Sequence, residues 1–374
     1  MQRSKFVLAL LMLAVVAFIP AIALAQHYHQ TNLVSDVPGL ALATDPDLVN
    51  SWGIVHGPTT PWWVNDNGTG KSTLYNAAGT KQGLVVTVPP PADSPQGTTS
   101  TPTGIVFNTD TDATHFVVVN PADNTKSGPA RFIFVTEDGT ISGWSPAALP
   151  TTAILEVPQP GIAVSAIYKG LAIAEHGGAT YLYAANFLSG KVDVFDSSWN
   201  AATLKVDQFV DPRLPSGYAP FNVQNIGGDI FVTWAKQGTP PDEVDGRGLG
   251  FVDKFDSGGT LLMRFQHGPW LNAPWGLAMS PANFGKFSNN LLVGNFGSGE
   301  IAAFDPATGE FLGRLHSEKG NLVIPGLWGI GFGGGVNLVN DGPANTLFFA
   351  AGIDDEAHGL FGTLTAIPDD DNDD

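Results

Sequence analysis

From residue 26 onward, apolar positions come in short runs, many of them alternating with polar ones, and the runs stop at Gly, Asp, Asn or Pro. Alternation of this kind marks half-buried strands, and no stretch carries a helical period of useful length. The clearest block reads as four strands over residues 275–279, 290–295, 300–305 and 310–315. Residues 296–299 (FGSG) and 306–309 (PATG) separate the middle strands with the residue types that tight turns require. Residues 181–186 and 191–196 repeat its centre, as do Trp62–Asp66 and residues 71–76.

The pattern recurs along the chain. Six segments align: Ser51-Trp52-Gly53-Ile54, Thr103-Gly104-Ile105-Val106, Lys169-Gly170-Leu171-Ala172, Phe221-Asn222-Val223, Trp275-Gly276-Leu277-Ala278 and Trp328-Gly329-Ile330-Gly331. Their anchors at 53, 104, 170, 222, 276 and 329 lie 51, 66, 52, 54 and 53 residues apart. Four short strands per repeat of this length predict an all-β, six-bladed β-propeller; a β-helix would repeat sooner. The sixth unit has three evident strands, at 328–332, 346–351 and 359–367, while residues 31–35 before the first anchor form an unassigned one. The N-terminal strand is therefore expected to complete blade six, removing an open sheet edge. An extra segment near 116–120, ahead of a strand at 131–136, accounts for the long interval.

Composition refines this picture. A basic head, Met1 to Lys5, precedes an apolar run from Phe6 to Ala25 that ends Ala23-Leu24-Ala25. That is a secretory signal peptide with cleavage after Ala25, preferred over a membrane anchor because Pro20 and the small residues suit a peptidase. The expected product is one propeller domain, 26–368, in the periplasm or outside the cell, with no membrane span after cleavage. Residues 369–374 (DDDNDD) form a self-repelling acidic tail, expected to be disordered. The chain has no cysteine, which excludes disulfides, thiol nucleophiles and thiolate metal sites. The net charge of −18 argues against nucleic acid and anionic membranes as partners.

The Gly-[IL]-A starts and third strands such as KVDVFD (191–196) resemble NHL-type propellers. Together with Asn50-Ser51-Trp52-Gly53, Trp234-Ala235-Lys236-Gln237 and the loop at 242–250, they make the chain similar to an uncharacterised family of exported bacterial propellers. Some members of that family carry a PEP-CTERM sorting tail, which this acidic terminus replaces. The resemblance implies fold and export, and transfers no catalytic residue.

Topology then limits where a ligand could sit. The loop into strand one and the turn between strands two and three emerge on one face, around the channel mouth. Asp66, Glu137, Asn186, Asp242, Asp245, Asn295 and Asp354 fall there, with Asn222 at the blade-four anchor. Oxygen side chains on such a face suit calcium, for which Asp66, Glu137, Asn186 and Asn295 are the candidate ligands. Each of these Asn and Asp residues also reads as a turn cap. Trp52, Trp275 and Trp328 read either as stacking surfaces for a ligand or as inter-blade packing. Gly68-Thr69-Gly70-Lys71-Ser72 lacks the upstream glycine and the helix of a phosphate loop. The histidines are scattered, which leaves no zinc motif.

Two functions remain open on sequence. One is a binding or scaffold module for a small molecule, polysaccharide or protein. The alternative is a calcium-dependent lactonase or esterase-like hydrolase, by analogy with other propellers.

Overall fold

A computed structural model describes residues 27–158, 165–239 and 241–367. The expected leader and acidic tail lie outside the described residues. Six small sheets form the ring. Their inner strands are Ser51–Val55, Pro102–Phe107, Tyr168–His176, Tyr218–Ile226, Pro274–Met279 and Leu327–Phe332, each carrying one anchor. The sequence-predicted strand blocks are thus the blades of a six-bladed β-propeller.

Blade six closes as expected. His27–Ser35 pairs antiparallel with His358–Ile367 and completes a sheet begun by Leu327–Phe332 and Thr346–Ile353. A short parallel strand, Ala43–Thr44, covers its outer edge. The Tyr28 hydroxyl donates to the carbonyl of Phe284 in blade five, so the closing strand also bolts the ring to its neighbour. The long interval in blade two holds a hairpin, Val117–Val119 with Ser127–Pro129, placed before Phe132–Thr136.

Strand periodicity explains the core. Successive side chains face opposite sides of a sheet. In Trp62–Asp66, Trp62 and Val64 pack toward blade six, while Trp63 packs toward blade two. Asn65, on the same side as Trp63, donates to the carbonyls of Thr103 and Gly104. Among the described residues, buried side chains form one cluster at each blade interface and a seventh on the axis.

The anchors mark the closest approach of the blades. A Cβ on Gly53 would strike the Thr103 carbonyl, and one on Gly329 would strike that of Trp52; the pattern continues through Gly104, Gly170 and Gly276. Glycine is needed at these positions because neighbouring inner strands touch backbone to backbone. Blade four carries Asn222 instead. Its Nδ2 donates to the Trp275 carbonyl at 2.8 Å, so a side-chain hydrogen bond links blades four and five where other blades use bare backbone.

Candidate functional site

The residue preceding each anchor is buried. In blade order these are Trp52, Thr103, Lys169, Phe221, Trp275 and Trp328. Trp52 stacks on Trp328 at 3.6 Å, and Trp275 meets both edge-on at 6.2 and 5.9 Å. Phe221 and Phe296 pack on Trp328 at 5.6 and 4.0 Å. The three tryptophans are buried, so of the two sequence readings the packing one describes their state here. They form a plug across the channel.

Lys169 occupies a plug position that four other blades give to aromatics. Its side chain is 3% exposed. Its Nζ lies 5.0 Å from the Trp52 ring centroid and 5.7 and 5.8 Å from those of Phe187 and Phe221, within cation–π range. A buried ammonium needs carboxylate partners. It donates to Glu137 Oε1 at 2.6 Å and has Glu243 Oε2 at 3.6 Å. The other Glu137 oxygen accepts from Asn67 Nδ2 at 3.0 Å. Asn67 in turn accepts from Asn50, whose own oxygen accepts the Trp52 indole N–H. The Trp275 indole donates to the Lys169 carbonyl at 3.0 Å, fixing the lysine from below.

Each carboxyl is delivered by a different blade. Glu137 sits in the turn after Phe132–Thr136, and its N–H is held by the Thr101 carbonyl. Glu243 lies in Glu243–Val244, a two-residue strand paired with Lys236 and Gln237. The blade-four loop thus extends its sheet as a ribbon over the mouth. Glu356 comes from the blade-six hairpin, where Asp354, Asp355 and Glu356 have φ of 57°, 52° and 66°. Three successive non-glycine residues in the left-handed region are strained.

The charges do not balance. Burial alone would lower Lys169, but the fields of Glu137 and Glu243 hold it above the ordinary lysine value. It is a fixed cation rather than an amine nucleophile. Burial pushes the Glu356 carboxyl up to about 7, with repulsion from Glu137 and Glu243 adding to the effect. Burial also raises Glu243, against the pull of Lys169. No hydrogen-bond donor reaches the Glu356 carboxyl among the described residues.

The other sequence-predicted residues are dispersed. Asp66 is fully buried in blade one, where Thr73 donates to its Oδ2 at 2.8 Å; burial pushes its pKa well above the carboxylate range. Asn186 caps its own turn by accepting the Ser189 N–H and donates to Asp193. Asn295 accepts the Asn272 N–H and donates to the Glu300 carbonyl across its own turn. Asn222 belongs to the anchor ring below the plug. Asp242 is exposed on the blade-four ribbon, and its charge reaches Glu243 and Glu356. Asp245 and Asp354 line a neighbouring cleft. Of the four candidate calcium ligands, only Glu137 enters the mouth cluster, and it is engaged by Asn67 and Lys169. The four do not converge as calcium requires, and among the described residues no group of three or more His, Asp or Glu could hold a metal.

Sequence reasoning singled out Asp242, Asp245 and Asp354 in these loops rather than Glu243 and Glu356, and took Lys169 for part of an anchor. The signal was present in the repeat itself, as a lysine aligned with Trp52, Phe221, Trp275 and Trp328.

No family model matches the chain. Solved structures similar over most of its length include a glucose dehydrogenase, 13% identical with a TM-score of 0.48 over 90% of this chain and 98% of that one. Another is an inactive virginiamycin B lyase from Staphylococcus aureus, 11% identical with a TM-score of 0.47 over 91% and 99%. Uncharacterized protein R648 of Acanthamoeba polyphaga mimivirus is 32% identical over 89% of this chain and 78% of its own length. Uncharacterized protein L690 of the same virus is 30% identical over 89% and 84%. The chain belongs to the protein family of mimivirus R648 and L690.

Proposed function

We propose that the protein is an exported β-propeller that binds a ligand at the channel mouth around Lys169. The observation that carries this reading is the donor deficit at the mouth. Three carboxyls, from Glu137, Glu243 and Glu356, share one lysine, the Asn67 amide and the Glu243 backbone N–H, and among the described residues no donor reaches Glu356. Glu356 is half-buried, and a carboxylate drawn partly out of water is costly unless it is paired. A ligand offering hydrogen-bond donors or positive charge would supply what the fold omits. The aromatic plug closes the channel beneath, which makes the mouth a blind, convergent surface suited to binding. The strained hairpin at Asp354 to Glu356 is consistent with a side chain held for a purpose other than stability.

The test is a thermal-shift screen of small molecules, oligosaccharides and peptides on the full chain and on Glu243→Gln and Glu356→Gln. A ligand bound only by the folded state raises Tm by mass action. The reading expects ligands whose stabilising effect is lost in both variants. Stabilisation that persists undiminished in both would refute it.

A second reading, ester or lactone hydrolysis, draws on one observation. A Glu356 carboxyl near 7 is matched to general acid–base work at neutral pH. It expects turnover of a lactone or ester panel that Glu356→Gln abolishes. No turnover by the wild type would remove it.

A further inference from the structure

The channel continues on the far side of the aromatic plug from Lys169. There it forms a chamber of about 290 Å³, with Trp275 of the plug among its lining residues. The inner strands supply its sides, through Ile54, Ile105, Leu171, Leu277 and Ile330. No charged side chain lines it among the described residues. The polar side chains that do are engaged within the fold. Asn222 donates to the Trp275 carbonyl and accepts the Val223 N–H. Asn225 donates to the Ile173 carbonyl and accepts the Gly228 N–H. These two amides cover carbonyls of neighbouring inner strands, which are sheet edges. The indoles of Trp62 and Trp275 donate to the carbonyls of Asp341 and Lys169. Both His56 ring nitrogens face backbone carbonyls, of Gly57 and Phe332, at 3.0 and 3.1 Å. Gln224 is the exception. It is exposed, and its amide has no partner among the described residues.

Apolar surface continues outside the chamber. The loop after Leu327–Phe332 lies against His56, where a Cβ on Gly334 would stand 2.8 Å from the ring Cε1. Polar side chains peg this loop from within. Asn337 and Asn340 donate to the Thr59 carbonyl, and Asp341 accepts the Asn337 N–H. Val336, Leu338 and Val339 are left 73%, 62% and 69% exposed. A pegged loop that turns its aliphatic side chains to solvent inverts the usual arrangement and marks contact with something apolar.

These parts select a chemistry. A charged group in the chamber would find no partner. A second polar group at its inner end would find its side-chain neighbours already engaged. At ~30 Å³ per water-sized group the chamber takes about ten of them, a chain of about nine carbons and its head. We propose that this chamber binds an uncharged molecule of the medium-chain alcohol class, with one hydrocarbon chain inside and a single polar head at Gln224. The site lies across the plug from the Lys169 mouth and does not depend on that reading.

Isothermal titration of the full chain with primary alcohols tests it. Kd should fall about four-fold for each methylene added from 1-hexanol to 1-nonanol, and change little beyond, where the chamber is full. 1,8-Octanediol carries a hydroxyl to the inner end and should bind at least about ten-fold more weakly than 1-octanol. Ile226→Asp and Met279→Asp each place a carboxylate at a half-buried lining position, and each should lose 1-octanol binding while keeping the wild-type circular dichroism spectrum. Should either variant fail to fold, the alcohol series and the diol on the wild type still decide. No saturable binding of 1-octanol at millimolar concentration would overturn the proposal. Equal binding of the diol would do the same, as would a gain per methylene that runs unbroken past 1-decanol. Binding that both aspartate variants leave intact would place the alcohol elsewhere and sink the chamber assignment.

Discussion

Replacing Lys169 with methionine removes the one cation from the mouth while keeping most of the side chain's volume over Trp52. Glu137 then loses its 2.6 Å partner and Glu243 its 3.6 Å one, and both stay partly or wholly buried. Removing one member of a buried ion pair destabilises by about 3–5 kcal/mol, because the remaining charge is left uncompensated. The loss should depend on pH. In the wild type, Glu356 is raised from 4.5 to about 7, so its stabilising contribution is complete below 4.5 and is lost as pH rises through about 7. A shift of that size corresponds to about 3 kcal/mol between the protonated and ionised limits. Without Lys169 the carboxyls hold their protons more tightly still. The gap between variant and wild type should therefore widen from pH 5 to pH 8. Urea denaturation at both values measures it. A gap below about 1 kcal/mol at pH 8, or an equal gap at both pH values, would refute the view that Lys169 compensates this cluster.

Three further outcomes follow from the fold. Gly170→Ala drives a Cβ into Asn222 of the next blade and should destabilise by about 2 kcal/mol or more, whereas Gly83→Ala, with open space around it, should stay within about 0.5 kcal/mol; paired denaturation curves decide this. His358 Nδ1 lies 2.6 Å from Asp36 Oδ2, and that hydrogen bond raises its pKa. The contribution is complete below 6.5 and fades as pH rises through the higher folded value, so an NMR titration should place the His358 midpoint above 6.5 and Asp36→Asn should lower it. Deleting residues 27–35 uncovers the edge of His358–Ile367 and removes buried Tyr28, Leu33 and Val34; the product should be insoluble or rapidly proteolysed, and a soluble, protease-resistant product would contradict the closure.

The blades were legible in the sequence because their cause is local and repeated. Alternating runs, turn residues and a glycine at five of the six anchors all follow from strands that must touch at the axis. The unassigned strand near residue 31 could be placed because an open sixth blade would leave an edge unpaired. The mouth was less legible. Asp66, Asn186 and Asn295 end strands in the same way as Glu137 begins its turn, and sequence position does not say which side chain folds back on its own blade. Asn186 and Asn295 cap turns because a short amide can reach the backbone, while Glu137 is long enough to reach Lys169. Glu356 joins the cluster through a left-handed hairpin that no composition signal marks. Lys169 is different: its exception to the aromatic plug could have been found by aligning the repeats one position before the anchor.

The central claim is that the mouth holds more carboxyl than its single lysine can compensate, leaving Glu356 ready to meet a ligand. Carbon-13 NMR titration of the glutamate side-chain carboxyls tests this most directly. The account predicts two resonances with midpoints near 7, from Glu156 and Glu356, of which one is absent from Glu356→Gln and shifted further up in Lys169→Met. A wild-type protein in which the resonance missing from Glu356→Gln titrates in the ordinary range near 4.5 would contradict it.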